Sequence, residues 1–426
     1  MMKKAAIHTL GCKVNTYESD AMRELLVSAG YEIVPFSDKA DVYIVNTCSV
    51  TNVADHKSRQ MLHRAKKQNP DAVLVAAGCY VQTATEQAKQ DAGIDILIGN
   101  NQKKDLIPLL LQFEKERTNA CQISDISKDT EYEELSVSAP SGHTRAFLKV
   151  QDGCNQFCSY CIIPYARGRI RSRHPEDVYE EVVRLSENGF QEIVLTGIHL
   201  SSYGKEIGTD LLSLIERIHG IEGIRRIRLG SLEPGIITDG FVSRLASLNK
   251  VCPHFHLSLQ SGSDTVLKRM NRHYTSAEYL EKCQILKSHY QDPALTTDII
   301  VGFPGESEEE FADSCRIVRE AGFADVHIFK FSRRSGTPAD RMPDQITEAQ
   351  KTERSHVLAD VCASVRREFL SCYEGKDVEV LFEKSTEKDG VRYYEGYTPE
   401  YLRVCIPSDE DLKNQIKVVE FSDRLL

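Results

Sequence analysis

Three cysteines stand close together in the middle of the chain, in the run CNQFCSYC. Cys154, Cys158 and Cys161 are separated by three and two residues, and the run holds no fourth cysteine. A structural zinc site closes around four protein ligands, whereas three thiolates on a four-iron cluster leave one iron open. The run follows the strand-like segment AFLKVQDG, and barrel enzymes place their active sites at the carboxyl ends of strands. The spacing therefore predicts an iron–sulfur cluster with one open iron, and a zinc knuckle is the alternative.

A second set of three cysteines is spread along the N-terminal part of the chain. Cys12, Cys48 and Cys79 each end a strand-like stretch, in HTLGC, IVNTC and VAAGC. Because the carboxyl ends of parallel strands share one edge of a sheet, we expect these thiols to converge on one site with an open position. Three unrelated buried cysteines are the alternative. The remaining seven cysteines share no ligand-like spacing and are interpreted as packing residues: Cys121, Cys252, Cys283, Cys315, Cys362, Cys372 and Cys405.

Alternating strand and helix patterns surround the second cysteine set and predict a doubly wound parallel sheet over residues 1–115. The strand candidates are Lys4–Leu10, Asp41–Asn46, Ala72–Ala77 and Ile94–Ile98, with helix patterns at Tyr17–Ala29 and Val53–Gln68. Residues 116–142 break the alternation with an acidic stretch followed by Ser, Pro and Gly, which predicts a linker or a covering loop.

A second alternating series fills residues 143–370 and surrounds the CNQFCSYC run. Its six strand patterns predict a partial (βα)6 barrel rather than the closed eightfold barrel. They are Ala146–Val150, Glu192–Thr196, Arg226–Gly230, Phe255–Leu259, Thr297–Val301 and Val326–Phe331. Short strand-like runs separated by turn residues then predict a small all-β module over residues 371–426. The predicted fold class is therefore α/β, with a parallel-sheet domain, a partial barrel and a terminal β module.

The composition is that of a globular protein: 426 residues, 41% hydrophobic and 27% charged. No apolar run approaches the roughly 20 residues that cross a bilayer, and no signal-peptide pattern follows the first lysines, so we expect a cytoplasmic protein without a membrane. Disulfides are unexpected there, which leaves metal binding for clustered thiols. The net charge of −10 argues against a protein coated with phosphate contacts, although a local basic patch fits an acidic body.

The CxxxCxxC spacing, with Tyr160 before its last cysteine, resembles the radical S-adenosylmethionine (SAM) superfamily. More narrowly, the stretches LGCKVNTYES, VNTCSVTN, CSYCIIPYARG, SLQSGSDTVLKRMNRHYT and IIVGFPGE resemble the methylthiotransferases over nearly the whole chain. The resemblance implies two [4Fe–4S] clusters, one on each cysteine set, and SAM at the open iron of the central cluster. It further implies a TRAM-like terminal module.

The resemblance also assigns cofactor contacts to residues that follow successive predicted barrel strands. Tyr160 and Gly302 are expected beside the adenine of SAM, and Thr196 with Gly197 at its amino group. The remaining assigned positions, which are expected at the mouth of the barrel, are Ser231, Glu233, Ser258 and Gln260.

The activity that the resemblance implies is the radical insertion of a methylthio group at C2 of a modified adenosine beside the anticodon of tRNA. One SAM methylates a sulfur on the N-terminal cluster, and a second is cleaved at the central cluster to give the radical that removes the C2 hydrogen. Such chemistry requires a sulfur donor and an electron donor such as a flavodoxin or a ferredoxin. No Ser/His/Asp or paired-carboxylate device is needed, because the cofactors carry the reaction.

The motifs GCKVN and NTCSVTNVADHKSRQ resemble the type of the family that acts on threonylcarbamoyladenosine. The type that acts on isopentenyladenosine tends to carry GCQMN, and the type that acts on a ribosomal-protein aspartate tends to carry GCPKN. Both remain alternatives. An alternative of another class is a non-enzymatic RNA-binding protein with structural metal sites, which predicts zinc and a fourth ligand at each site.

A basic run after the central cysteines predicts contact with tRNA phosphates, with a solvated arginine face as the alternative. The run comprises Arg167, Arg169, Arg171 and Arg173, and further arginines near predicted strand ends are Arg225, Arg226, Arg228, Arg333 and Arg334. Four tyrosines of the terminal module are candidates for base stacking: Tyr393, Tyr394, Tyr397 and Tyr401.

Overall fold

The computed structural model describes residues 2–91, 93–140, 142, 144–422 and 425. The predicted start of the barrel segment, residue 143, lies outside these residues. Within them, no helix is both long enough and apolar enough to cross a membrane.

The N-terminal part is a sheet of six parallel strands in the order β2-β1-β3-β4-β5-β6. The strands are β1 (Lys4–Thr9), β2 (Glu32–Ile33), β3 (Val42–Thr47), β4 (Val73–Gly78), β5 (Ile96–Ile98) and β6 (Ala120–Gln122). The helices are α1 (Lys13–Ser28), α2 (Asn52–Gln68), α3 (Cys79–Thr83), α4 (Thr85–Gln90) and α5 (Leu106–Glu116). The strand-and-helix alternation confirms the predicted doubly wound sheet.

Apolar side chains on both faces explain why this sheet is covered by helices on both sides. Every residue of β3 and β4 is buried, as expected for central strands of a parallel sheet. Separate apolar clusters lie on the two faces of the sheet. Two short edge strands, β2 and β6, were not predicted, and β6 pairs with β5 and extends the sheet beyond residue 115 into the predicted linker.

The central part is a partial barrel of six parallel strands. They are β7 (Arg145–Asp152), β9 (Glu192–Gly197), β10 (Arg226–Leu229), β11 (His254–His256), β12 (Ala294–Val301) and β13 (Asp325–Lys330). The short β8 (Arg171–Ser172) runs antiparallel to β7. Hydrogen-bonded ladders join β7, β9 and β10 on one side and β11, β12 and β13 on the other, and isolated parallel bridges connect the two groups.

Helices surround the barrel on the outside, as the sequence pattern predicts. They are α7 (Pro175–Glu187), α8 (Leu211–His219), α9 (Asp239–Ala246), α10 (Asp264–Arg269), α11 (Ser276–His289), α12 (Glu308–Ala321) and α13 (Glu348–Ser371), whereas the short α6 (Ile163–Arg167) belongs to the loop after β7. Capping boxes start α11, α12 and α13, each with a hydroxyl residue at the cap and Glu or Gln three residues on. The main apolar core lies between these helices and the barrel strands.

The C-terminal part is an antiparallel four-stranded sheet with its own small core. Its strands, in the order β16-β15-β14-β17, are β14 (Asp377–Lys388), β15 (Val391–Tyr397), β16 (Arg403–Pro407) and β17 (Ile416–Glu420). Arginines at the amino ends of barrel strands hold this sheet in place. Arg226 donates to the carbonyl of Tyr397 at 2.8 Å, and Arg228 donates to the carbonyl of Pro399 at 2.7 Å.

A buried group of charged side chains joins the N-terminal domain to the barrel. The carboxylate of Glu18 on α1 accepts from Arg167 and Lys149, both at 2.8 Å, and pairs with Lys103 at 3.2 Å. Arg167 also pairs with Asp152 at 3.1 Å, and all five side chains are almost completely buried. Burial alone would raise the pKa of Glu18, but Arg167, Lys103 and Lys149 hold it well below its usual range.

Replacement of Glu18 by Gln should strongly destabilise the protein, because buried Lys103 would lose its ion pair and Arg167 and Lys149 would be left to share Asp152. Removal of one partner from a buried charge group costs about 3–5 kcal/mol. We expect the thermal unfolding midpoint to fall by several degrees. Glu216→Gln is the matched control, since Glu216 pairs with Arg244 at the surface and exposed pairs contribute roughly 0–1 kcal/mol. Equal midpoints for the two variants would contradict a structural role for the buried group.

Candidate functional site

The three N-terminal cysteines converge at one edge of the first sheet. Cys12 follows β1, Cys48 follows β3 and Cys79 begins α3 directly after β4, and these three strands are immediate neighbours. The three thiols lie close together: besides desolvation, the thiolate of Cys79 raises the pKa of both Cys12 and Cys48, and the thiolate of Cys12 raises the pKa of Cys48. We refer to them as the N-terminal triad.

Glycine at position 11 allows this close approach. Gly11 has φ = +100°, and a Cβ placed there would lie 2.9 Å from both Cβ and Sγ of Cys48. An L side chain would therefore be strained and would push against the thiol. Asparagine amides hold the surrounding backbone: Asn15 donates to the carbonyls of Leu10 at 2.7 Å and Thr47 at 3.0 Å.

The cysteines of the CNQFCSYC run, which we call the central triad, lie in the loop that follows β7. The Cys154 amide donates to the carbonyl of Gly168 at 3.0 Å, and the Cys161 amide donates to the carbonyl of Cys158 at 2.9 Å. The amide of Gln156 donates to the Cys154 sulfur at 3.4 Å. The loop is thus fixed by its own backbone before any metal binds.

Both triads fit an iron–sulfur cluster better than a single zinc ion. Three thiolates on one zinc, each at about 2.3 Å from the metal, would lie roughly 4 Å apart. Among the described residues, the one group of three potential ligands whose atoms all lie within 4.8 Å of one another contains no cysteine. The thiols of each triad are therefore spaced more widely, as a multi-iron cluster requires.

Thiols in both triads have raised pKa values, as buried cysteines elsewhere in this chain do. Burial raises the pKa of Cys48 and Cys154 to about 11 and that of Cys161 to about 12. These thiols therefore hold their protons in the absence of metal, and ligation as thiolates releases them.

Asn100 connects the two triads. Its amide donates to the carbonyl of Ala166, in the helix that follows the central triad, at 2.8 Å and to the Cys79 sulfur at 3.6 Å. Arg167 adds a second connection, because it donates to Asn15 Oδ1 at 2.6 Å beside the N-terminal triad. The same helix, α6, thus lies directly between the two cysteine sites.

The structure brings Tyr160 close to the end of β12, where the sequence places the other adenine-binding candidates. Tyr160 and Ile300 pack against the same apolar cluster, which contains Phe303 and Phe331. Gly302 has φ = +72°, and a Cβ there would lie 2.4 Å from Cγ of Lys351. Tyr160 thus joins the loop of the central triad to an apolar cluster at the end of β12.

The other predicted cofactor residues lie at the carboxyl ends of their strands. Thr196 and Gly197 end β9, with Thr196 buried. Ser231 and Glu233 follow β10, and Ser231 is exposed. Ser258 and Gln260 follow β11, and the amide of Gln260 donates to the carbonyl of Asp298 at 2.8 Å.

Arg272 is a site residue that the sequence analysis missed. Its guanidinium donates to both carboxylate oxygens of Glu233 at 2.9 and 2.8 Å, to the Cys158 sulfur at 3.3 Å and to the carbonyl of Ser258 at 3.2 Å. It therefore holds a central-triad cysteine and two predicted cofactor residues in one arrangement. The stretch RMNRHYT was recognised as a motif, but nothing in its spacing shows which strand ends it reaches.

Most of the basic run is buried, which contradicts both the predicted contact with tRNA phosphates and the alternative of a solvated arginine face. Arg167, Arg171 and Arg173 are buried: Arg167 pairs with Glu18, Arg171 donates to backbone carbonyls, and Arg173 pairs with Glu181 at 2.6 Å. The prediction of phosphate contacts is wrong for these three arginines, because no nucleic acid reaches them. Arg169 alone among the four is exposed.

Some of the additional arginines and tyrosines are also buried, and others are accessible to solvent. The buried ones are Arg226, Arg228, Arg334 and Tyr394. The prediction that these side chains contact RNA is therefore wrong. Arg225 and Arg333 are exposed, and Tyr393, Tyr397 and Tyr401 are half-buried.

Several charged and imidazole side chains lie on the inner face of the barrel. Ile227 and Leu229 of β10 and Phe255 of β11 belong to the outer core, so the alternate residues of these strands face inwards. These inward positions carry Arg228 and His254, and the corresponding side of β7 and β9 carries Arg145 and Glu192. We refer to this space as the lumen.

Three lumen side chains form a second group that the sequence analysis missed. His256, Asp298 and His327 come from three adjacent strands, and their potential ligand atoms all lie within 4.8 Å of one another. His256 Nε2 lies 3.4 Å from Asp298 Oδ2. A polar residue at every second position of HFH, TTD and DVH is the signal that points to an inward polar face.

Comparison with known proteins agrees with this arrangement. Residues 148–318 match the Radical SAM superfamily and residues 4–99 match the uncharacterized protein family UPF0004. A threonylcarbamoyladenosine tRNA methylthiotransferase, MtaB, from Bacillus subtilis is 43% identical over 98% of this chain and 94% of its own length. A tRNA-2-methylthio-N(6)-dimethylallyladenosine synthase from Pelotomaculum thermopropionicum is 39% identical over 91% of this chain and 88% of its own.

A solved structure supports the fold. The radical SAM methyltransferase TsrM from Kitasatospora setae is 14% identical, with a TM-score of 0.58, over 77% of this chain and 73% of that one. The partial barrel with a three-cysteine loop after its first strand is the part of the chain that matches the radical SAM class. The chain belongs to the methylthiotransferase family of radical SAM enzymes, and within it to the MtaB type. Its cofactors are SAM and two [4Fe–4S] clusters.

Replacement of Gly11 by Ala should disturb the N-terminal triad alone. The added methyl group would displace Cys48 or the loop that carries Cys12, so we expect reconstituted protein to hold about half of the roughly eight irons of two clusters. Anaerobic reconstitution followed by iron and sulfide analysis measures this. Gly220→Ala is the matched control, because a Cβ at Gly220 has no neighbour within 4 Å. Full iron content in Gly11→Ala would show that the close contact with Cys48 is not needed.

Proposed function

We propose that this chain is a tRNA methylthiotransferase that converts N6-threonylcarbamoyladenosine, next to the anticodon, into its 2-methylthio derivative. The observation that carries the proposal is the convergence of two cysteine triads on opposite ends of α6, joined by a buried charge group. The relatives named threonylcarbamoyladenosine tRNA methylthiotransferase, at 43% and 38% identity over most of the chain, support the substrate.

In this proposal Cys154, Cys158 and Cys161 hold the cluster that binds SAM, and the N-terminal triad holds the second cluster. When bound, these cofactors supply the radical, the sulfur site and the methyl group. Tyr160 and Gly302 form the wall for the adenine of SAM.

The remaining predicted cofactor residues orient SAM from the strand ends. Thr196 and Gly197 face its amino group, and Ser231, Glu233, Ser258 and Gln260 surround the mouth of the barrel. Arg272 fixes Glu233 relative to Cys158, so that these groups do not move independently.

An exposed patch beside the central triad is the proposed contact for the anticodon loop. The guanidinium of Arg169 lies over the ring of Phe157 at 4.7 Å, and Phe157 contacts Tyr165 edge-on at 5.7 Å. Tyr165 is 46% exposed. A cation stacked among accessible rings suits both phosphates and unpaired bases, which is how single-stranded RNA loops are recognised.

The domain assignment follows the predicted boundaries, with one extension. Residues 1–115 form the methylthiotransferase domain, to which β6 adds a strand, 116–142 cover the contact with the barrel, 143–370 form the radical SAM core and 371–426 form a TRAM-like module.

The reaction needs a sulfur donor and a reductant, for which a flavodoxin or ferredoxin has suitable chemistry. A tRNA substrate makes the cytoplasm the proposed location.

Removal of the central triad tests the cluster assignment. The Cys154→Ala, Cys158→Ala, Cys161→Ala variant should keep roughly half of about eight irons, because the N-terminal triad is untouched. The matched control removes three thiols outside both triads, by replacing Cys121, Cys372 and Cys405 with Ala, and should keep all the iron. Complete loss of iron in the first variant, or bound zinc in place of iron, would overturn the assignment.

The substrate is tested with anticodon stem-loop RNA that carries threonylcarbamoyladenosine. The reconstituted enzyme, supplied with SAM, sulfide and a chemical reductant, should add the mass of one methylthio group in place of one hydrogen. Nucleoside mass analysis detects this product. Stem-loop RNA with dimethylallyladenosine is the comparison, and modification of that RNA alone would replace the proposed substrate by the isopentenyl type.

A further inference from the structure

The register of three parallel strands brings His256, Asp298 and His327 together on the inner face of the barrel. Asp298 of β12 is paired in register with His327 of β13. His256 of β11 is paired with Thr296, which precedes Asp298 by two residues and therefore lies on the same face of β12. The adjacent Ile299 belongs to the apolar core on the outer face. We refer to His256, Asp298 and His327 as the lumen group.

The spacing of the lumen group is that of metal ligands. All three potential ligand atoms lie within 4.8 Å of one another, and His256 Nε2 is 3.4 Å from Asp298 Oδ2. Ligand atoms at about 2.0–2.1 Å from a tetrahedral metal lie roughly 3.4 Å apart, whereas an N–H···O hydrogen bond spans about 2.7–3.2 Å. The imidazole and the carboxylate are therefore separated by the distance that a shared ion requires. His327 is exposed, so its ring has room to turn and complete the set.

A neighbouring hydroxyl group orients the ring of His256. Its Nδ1 lies 3.0 Å from Oγ1 of Thr296, and a hydrogen bond donated there leaves the lone pair of Nε2 on the side of Asp298. Metal-binding histidines are typically oriented by such a bond from the second ring nitrogen. The rings of His256 and His327 stack at 5.7 Å with an interplanar angle of 24°, which places the two imidazoles on the same side of the barrel.

Two imidazoles and one carboxylate select the class of ion. Hard cations such as Mg²⁺ and Ca²⁺ take mainly oxygen ligands, and the lumen group offers one carboxylate. Imidazole nitrogen suits divalent transition metals such as zinc and iron(II). Three protein ligands also leave a further coordination position for water or for an oxygen of a bound molecule.

We propose that the lumen group binds a divalent transition-metal ion, as a third metal centre separate from the two iron–sulfur clusters. No member of the group belongs to either cysteine triad, so the site depends neither on cluster assembly nor on the identity of the tRNA substrate. The ion links β11, β12 and β13 on the inner face of the barrel. Asp298 lies two residues, roughly 7 Å, before Ile300, which packs against the same apolar cluster as Tyr160. The ion is therefore close to the proposed adenine contact of SAM.

Zinc is the probe that tests this proposal. Reconstituted enzyme with iron in both clusters is equilibrated with zinc chloride without air, and zinc and iron are counted separately by elemental analysis. The wild type should bind about one zinc per chain and keep its iron. X-ray absorption at the zinc edge should show nitrogen and oxygen neighbours at about 2.0–2.1 Å, and zinc should raise the thermal unfolding midpoint.

Two variants and a matched control assign the zinc to the lumen group. His327→Gln and Asp298→Asn should each weaken zinc binding at least about 10-fold, lose the zinc-dependent rise of the midpoint and keep their iron. The control His63→Gln removes a surface histidine that pairs with Asp91 at 2.8 Å, and it should bind zinc as the wild type does.

Three results would overturn the proposal. They are no zinc bound in addition to the iron, sulfur neighbours at about 2.3 Å, which would place the zinc on thiols, and equal zinc affinity in the wild type and His327→Gln. Because His327 is exposed, its replacement leaves the core intact, so this variant decides the question even if Asp298→Asn does not fold. The proposed tRNA reaction is measured separately with stem-loop RNA, so failure of one proposal leaves the other standing.

Discussion

The ion pair between Glu18 and Arg167 is the constraint on which the rest of the site depends. Arg167 ends the helix that follows the central triad, and Glu18 lies one and a half turns into the helix that begins after Cys12. Their 2.8 Å contact is completely buried. Together with the hydrogen bonds of Asn100, this pair holds two cysteine sites that are far apart in sequence in one relative position. Because an uncompensated charge in this position is strongly unfavourable, the two domains have one stable docking arrangement.

The polar lumen follows from the same docking. Barrel interiors are usually filled by branched apolar side chains, whereas this one carries charged and imidazole groups on its inner face. The helix α1 packs against β7 and β9 on one side of the barrel, and the terminal module is bonded to Arg226 and Arg228 of β10. Burial strengthens each electrostatic interaction on the inner face.

The elements with strong periodicity were predictable from sequence, and so was the convergence of the N-terminal triad. A cysteine after each of three parallel strands leads directly to one edge of a sheet, and the structure places Cys12, Cys48 and Cys79 there. The interpretation of the arginine run was wrong because Glu18, Asp152 and Glu181 are brought to it by tertiary folding. Arg272 was missed for the same reason, since its partners Glu233 and Cys158 belong to other loops. Local sequence shows that a charge exists, but only the fold shows which opposite charge meets it.

The most direct test of the alignment role of Arg167 is the coupling between cofactor cleavage and product formation in Arg167→Lys. The lysine keeps one positive charge but has a single nitrogen, so it cannot replace the guanidinium group that donates to Asn15, Glu18 and Asp152 together. In a single-turnover reaction with threonylcarbamoyladenosine RNA, this variant should hold its iron and still release 5′-deoxyadenosine. It should form several-fold less methylthiolated RNA per 5′-deoxyadenosine than the wild type. An unchanged ratio would show that the buried pair stabilises the protein without aligning the two sites.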